Sequence, residues 1–157
     1  MKNKFLKMRR FYQGIGRVWC LVLKDYIEFN KSGFRHLIRK NGILRPYREQ
    51  RRRFAALTYA KEIIETAQEY FFFEETMKQG IRARFWSLVA MRSDFLVTVV
   101  IRQLGDGKKH FFSVYAKKNP RGRAWIFDPS VSTFVWPLRV TPFFVDQGIA
   151  CAEPSRT

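Results

Sequence analysis

Acidic residues are scarce in this chain: 13 Asp and Glu stand against 30 Lys and Arg, leaving a net charge of +17 over 157 residues. An excess of one sign this large works against compaction by self-repulsion. Its usual counterpart is a polyanion, with nucleic acid ahead of an anionic membrane or an acidic protein. Cysteine is nearly missing too. Cys20 and Cys151 lie near opposite ends, with no CxxC and no Cys/His pair at ligand spacing, so neither a disulfide framework nor a zinc site is indicated. A reducing, cytoplasmic setting is the expectation. Long apolar runs are lacking near the start, where the longest is the six-residue VWCLVL of Val18–Leu23. That falls far short of a membrane span or a signal-peptide core, so no membrane partner is expected.

What is present is enough for one hydrophobic core. Hydrophobic residues make up 46% and there are 16 phenylalanines, in a length that suits one ordinary domain better than two. The charge is uneven: residues 1–53 hold 16 cations and 3 anions, residues 54–157 hold 14 and 10. The basic face is therefore mostly N-terminal. Within it, Ser32–Arg53 carries eight cations and one carboxylate. Ser32 as N-cap, Phe34, Leu37 and Ile38 at helical spacing and Gly42 as a left-handed stop predict a first helix. Arg35, His36, Arg39 and Lys40 then occupy its polar side, and His36, Arg39 and Lys40 become neighbours in a cationic, titratable cluster. Pro46 opens a second helix expected to run unbroken from Tyr47 to Ala67, with Phe54, Leu57, Ala60, Ile63 and Ile64 on its buried face.

After the helices the period changes. Tyr70–Phe73, Phe85–Ala90, Phe95–Gln103 and His110–Lys117 are short, aromatic and β-branched, with turn residues between them. The pattern predicts an α+β fold, with two N-terminal helices packed on one face of an antiparallel sheet of about four strands. If Gly105–Lys108 forms the last loop, position 98 lies opposite 115, 100 opposite 113 and 102 opposite 111. One face then gathers Thr98, Arg102, Ser113 and Tyr115, while the apolar face meets the helices. Residues 1–24 read as a basic arm, residues 25–128 as the domain and residues 129–157 as an irregular tail, with Val18–Phe29 expected to form one strand or packed extended segment across the first boundary. A strand at Ala124–Phe127 is expected before that tail.

The segments YIEFNKSGFRHLIRKNGILRPYREQRRRFAALTYAKEII and VTVVIRQLGDGKKHFFSVY resemble the phage-associated nucleases of the Barnase, EndoU, colicin and RelE superfamily. The resemblance spans about residues 26–117. It rests on a helix with a histidine and an arginine three later, an arginine-rich second helix, a strand ending V-I-R-Q and a following strand with a hydroxyl residue. It implies a metal-independent endoribonuclease, often a toxin, with two helices beside an antiparallel sheet and no cofactor. Its implied catalytic residues here are His36, Arg39, Arg102 and Ser113, with Arg52 and Tyr115 as weaker members. Arg35, Lys40 and Lys109 complete a substrate-binding set. The leader before Asp25 and the tail after Lys118 depart from the family pattern.

Cleavage of RNA by its own 2′-hydroxyl needs a base, an acid for the leaving oxygen and cations at phosphorus. His36, surrounded by cations that favour its neutral form, suits the base. Arg39 and Arg102 suit the phosphate, and Ser113 and Tyr115 can orient an oxygen or water. His110 is expected to be structural. Phe11, Tyr12, Trp19 and the Phe71–Phe73 run are a candidate platform for stacking bases, with buried core the preferred reading of the last. Expected partners are RNA and an acidic antitoxin or immunity protein covering residues 35–53. The competing reading is a non-catalytic nucleic-acid-binding module that keeps the basic helices without needing His36. A cationic membrane-active protein is a third reading, disfavoured by the absence of a sustained amphipathic helix in the leader.

Overall fold

The computed structural model describes residues 2–118. The strand expected at 124–127 and the tail from 129 lie outside that range.

The leader contributes more than an arm. Lys2–Ile15 forms helix α1, and a hairpin follows from Arg17–Cys20 (β1) and Asp25–Glu28 (β2). Tyr12, Val18, Cys20 and Ile27 are buried in the main core, and the Tyr12 hydroxyl donates to the Asn30 carbonyl at 2.9 Å. The segment read as one extended stretch from Val18 is thus two strands around a turn.

Helix α2 spans Lys31–Ile38 and is capped by Asn30, whose side chain accepts from the Gly33 amide at 3.1 Å, rather than by Ser32. It ends before Arg39. Arg39–Lys40 (β3) and Ile43–Leu44 (β4) pair across Asn41 and Gly42, whose φ values of 51° and 80° suit a two-residue hairpin turn. The second helix is also interrupted, giving α3 at Tyr47–Leu57 and α4 at Ala60–Thr66. Thr58 Oγ1 bonds back to the Ala55 carbonyl at the break.

The four expected strands are Phe72–Lys78 (β5), Ile81–Arg92 (β6), Phe95–Leu104 (β7) and His110–Lys118 (β8). The hairpin β1–β2 extends them to six, in the order β1-β2-β8-β7-β6-β5. The sheet is mixed, because β2 runs parallel to β8, joined at Glu28 and His110. Two N-terminal helices on a four-stranded antiparallel sheet is therefore corrected, among the described residues, to four helices with a mixed six-stranded sheet and a separate two-stranded one. Helix α1 and strand β1 come from the leader, and the fourth helix from the break after Leu57.

Alternation separates two faces. Trp86, Leu88, Val97, Val99, Ile101 and Val114 join the helices' Leu37, Leu57, Ile63 and Ile64 in the large core. Ala83, Phe85, Val100 and Phe112 form a smaller cluster on the other face. In β8 the register slips: Val100 faces Ser113 but Ile101 faces Phe111, leaving Phe112 as an extra, bulged residue. Thr98 lies opposite Tyr115 and Val100 opposite Ser113 as expected, while Arg102 meets His110 rather than position 111.

Beyond His110, helices α2 and α3 abut β8. Gly33 is required there: a Cβ would sit 2.3 Å from the Phe111 carbonyl oxygen and 2.4 Å from the Tyr12 hydroxyl. Arg53 Nη1 of α3 donates to the Val114 carbonyl at 3.2 Å, satisfying a backbone acceptor of β8.

Candidate functional site

The bulge, α2 and α3 bring a polar cluster together on the smaller face. Phe112 is its floor. The His36 ring lies 4.0 Å from the Phe112 ring, and the Arg102 guanidinium sits 4.5 Å above it. Arg102 donates from Nε to His110 Nε2 at 3.1 Å and from Nη2 to Ser32 Oγ at 3.3 Å. On the other side, Arg53 Nη1 donates to Ser113 Oγ at 2.7 Å. Tyr115 packs half-buried against the same small cluster.

Behind Arg53 stands a second layer of charge. Glu49 accepts from Arg53 Nε at 3.1 Å and from Arg45 Nη1. Arg45 is buried, and its Nε donates to the His36 carbonyl at 3.3 Å, while Gln50 Nε2 donates to the Arg45 carbonyl at 2.7 Å. The strand-like link after α2 is thereby tied to the helix that carries Arg53. Two arginines, Arg45 and Arg53, share the one carboxylate of Glu49, and Arg102 adds a further cation to the cluster, so the local field favours a bound anion.

Burial first, and neighbouring charge second, shift the ionisable groups of the cluster. Burial presses the Arg53 pKa down, as does the Arg45 charge, with Glu49 opposing both. Burial also lowers that of Arg102. Burial raises the Glu49 pKa, but the Arg53 hydrogen bond and the two arginine charges outweigh it and leave it low. His110 is held below its ordinary value by burial and then by the Arg102 charge. Because an arginine can only donate, His110 Nε2 must accept, which fixes a neutral ring with its proton on Nδ1. Lys108 O lies 3.5 Å from that Nδ1.

Of the residues nominated from sequence, His36, Arg102, Ser113 and Tyr115 meet here. The others are placed differently. Arg39 leaves the helix in extended conformation, and its Nη1 donates to the Gly42 carbonyl at 2.7 Å, so the expected helical cluster with His36 and Lys40 is broken. Arg35 and Lys40 are exposed on α2 and β3. Lys109 is bound to Asp25 Oδ2 at 2.7 Å and lies 5.7 Å from the Trp86 ring, on the large-core side of the sheet. Arg52 is exposed, and with Arg48, Arg51 and Ala55 it lines a shallow groove of about 240 Å³ on α3. Arg53 occupies the place expected of Arg52.

Sequence reading missed Arg53, Glu49 and Arg45, and assigned His110 to structure alone. The i, i+4 spacing of 45, 49 and 53 was the available signal. Among the described residues, no three His, Cys, Asp or Glu side chains gather as a metal-binding group, and no helix is long and apolar enough to cross a membrane. Comparison with family models finds no match, and comparison with curated proteins and with solved structures finds no significant match.

Proposed function

We propose that the protein is a toxin-type endoribonuclease of the phage-associated Barnase, EndoU, colicin and RelE kind, acting on RNA in the cytoplasm without a metal or cofactor. The observation that carries this reading is the convergence of His36, Arg102, His110, Arg53 and Ser113 around Phe112, from helices and strands far apart in the sequence. Two arginines flanking an imidazole suit a phosphodiester, since their forks can hold its oxygens while charge builds at phosphorus.

In this mechanism His36 takes the proton of the 2′-hydroxyl, and the 2′-oxygen attacks phosphorus. The bond to the 5′-oxygen breaks, that oxygen takes a proton from a water oriented by Tyr115, the hydroxide left behind takes back the proton held by His36, and the products end in a 2′,3′-cyclic phosphate and a 5′-hydroxyl. Arg102 and Arg53 stabilise the phosphorane, with Ser113 and Glu49 aiming Arg53. Arg39, Arg35 and Lys40 then serve substrate from the rim rather than the centre. An acidic antitoxin or immunity protein covering residues 35–53 would neutralise this surface.

The competing reading, a non-catalytic nucleic-acid-binding module, draws on the exposed Arg48, Arg51 and Arg52, which can bind phosphates without any imidazole. Incubation with labelled RNA in EDTA, beside His36→Ala, separates the two. Cyclic-phosphate ends are expected from the native protein and should fall about 10²- to 10⁴-fold in the variant, with RNA affinity within about threefold. Intact RNA bound equally by both proteins would select the binding module.

A further inference from the structure

The outer face of the β1–β2 hairpin carries aromatic surface that the catalytic cluster does not use. Trp19 and Tyr26 are register partners, 45% and 46% exposed, with ring centroids 5.1 Å apart. The Arg17 guanidinium lies 4.6 Å above the Tyr26 ring. Exposed aromatic faces offer stacking surface to a base, and a cation beside them can meet the adjoining phosphate.

Beside this pair opens a cleft of about 360 Å³ lined by Arg17, Tyr26, Glu28, Gln103, Asp106 and Lys108 among others. Its size lies near the lower end for small-ligand clefts, roughly 300–1,000 Å³. Its walls offer carboxylate acceptors, an ammonium donor and an amide of both kinds, the set needed to meet the polar edge of a heterocycle. Lys108 is already poised on Glu28 at 2.7 Å.

Strand pairing connects the hairpin to the cluster. Arg17 is paired with Glu28, Glu28 with His110 and His110 with Arg102, so one row of side chains crosses four adjacent strands. From β2 to β7 that is two strand spacings, roughly 10 Å. A strand of RNA held at Arg102 can therefore place a flanking base on the hairpin.

The geometry points to a nucleobase-binding subsite on β1–β2, in which an unpaired base stacks on one ring of the Trp19–Tyr26 pair and abuts the other, the two rings meeting edge to face at 69°, while its edge faces Glu28, Gln103 and Lys108. Its ligand class is single-stranded RNA, and its role as a flanking subsite rests on the reading of the neighbouring cluster as a phosphodiester site. Duplex RNA hides its base faces and is excluded from this mode.

The test measures binding of the full chain to an uncleavable 2′-O-methyl oligonucleotide, to the same backbone stripped of bases and to its duplex. Trp19→Ala and Tyr26→Ala should each weaken single-strand binding roughly 5- to 150-fold, leaving the abasic probe and the duplex within about twofold. Tyr26→Phe should retain binding, since it keeps the stacking face, and unchanged thermal unfolding of the alanine variants excludes misfolding. Equal losses on the abasic probe, or no loss on the single strand, would overturn the subsite. Cleavage of RNA is scored separately: stacking without cleavage supports the subsite and removes the nuclease, whereas cleavage without stacking removes the subsite alone.

Discussion

The two faces of the sheet use the same strands for different ends. On one, Leu88, Val99, Ile101 and Val114 are almost fully buried beneath the helices, with side chains that make only apolar contacts. On the other, the same strands present Arg102, His110, Ser113 and Tyr115 around the small apolar patch of Phe85, Val100 and Phe112. The comparison teaches that the apolar core and the polar cluster are separated by a single step of alternation. A change on the first face should act on folding, and one on the second on the cleavage proposed above.

The sharpest way to break that separation is Leu88→Ala, expected to remove about 2–5 kcal/mol of unfolding free energy in denaturant while leaving cleavage per folded molecule unchanged. A loss of activity at full folding would show the two faces to be coupled. Next in size is the contrast between neighbours on α3. Arg53→Ala should lower cleavage about 10²-fold, because Glu49 and Ser113 lose the donor they position, whereas Arg52→Ala should change it less than about threefold. Similar effects from both would refute the inward assignment of Arg53. The smallest effect is on pH. His110 has its folded pKa pushed below the ordinary 6.5 by burial and Arg102, so the unfolded chain binds its proton first on acidification. Its contribution to stability is full above about pH 6.5 and declines as pH falls through that value towards the folded pKa. Thermal unfolding of His110→Gln, which keeps an acceptor for Arg102, should show a shallower dependence between pH 7 and 5; an identical dependence would remove His110 as its source.

Legibility in the sequence followed how local each feature is. Strict alternation in FLVTVVIRQ and the glycine-flanked turn placed Thr98 opposite Tyr115 and Val100 opposite Ser113. The bulge at Phe112 carries no local mark, so Arg102 was assigned one position off. Asn41-Gly42 signals positive φ, which both a helix stop and a hairpin turn require; only the short pairing of Arg39 with Leu44 decides between them. Helix α1 looked irregular because Gly14 and a scattered charge pattern obscure its period. Its burial depends on Tyr12 reaching Asn30 and Phe111, contacts no window of sequence contains. Arg52 and Arg53 differ only in which meets β8, and that contact spans 60 residues.

The extra residue in β8 sets a phase. Counting back from Val114 in strict alternation would turn Phe111 outward and His110 inward; Phe112 shifts the beat by one, so Phe111 stays beneath α2 while His110 reaches Arg102. The two halves of the strand thus run out of step by design of their length. Deleting Phe112 would leave Phe111 inward and His110 outward and would remove only the ring beneath Arg102 and His36, whereas straightening the bulge with all its residues kept would turn Phe111 out and His110 in.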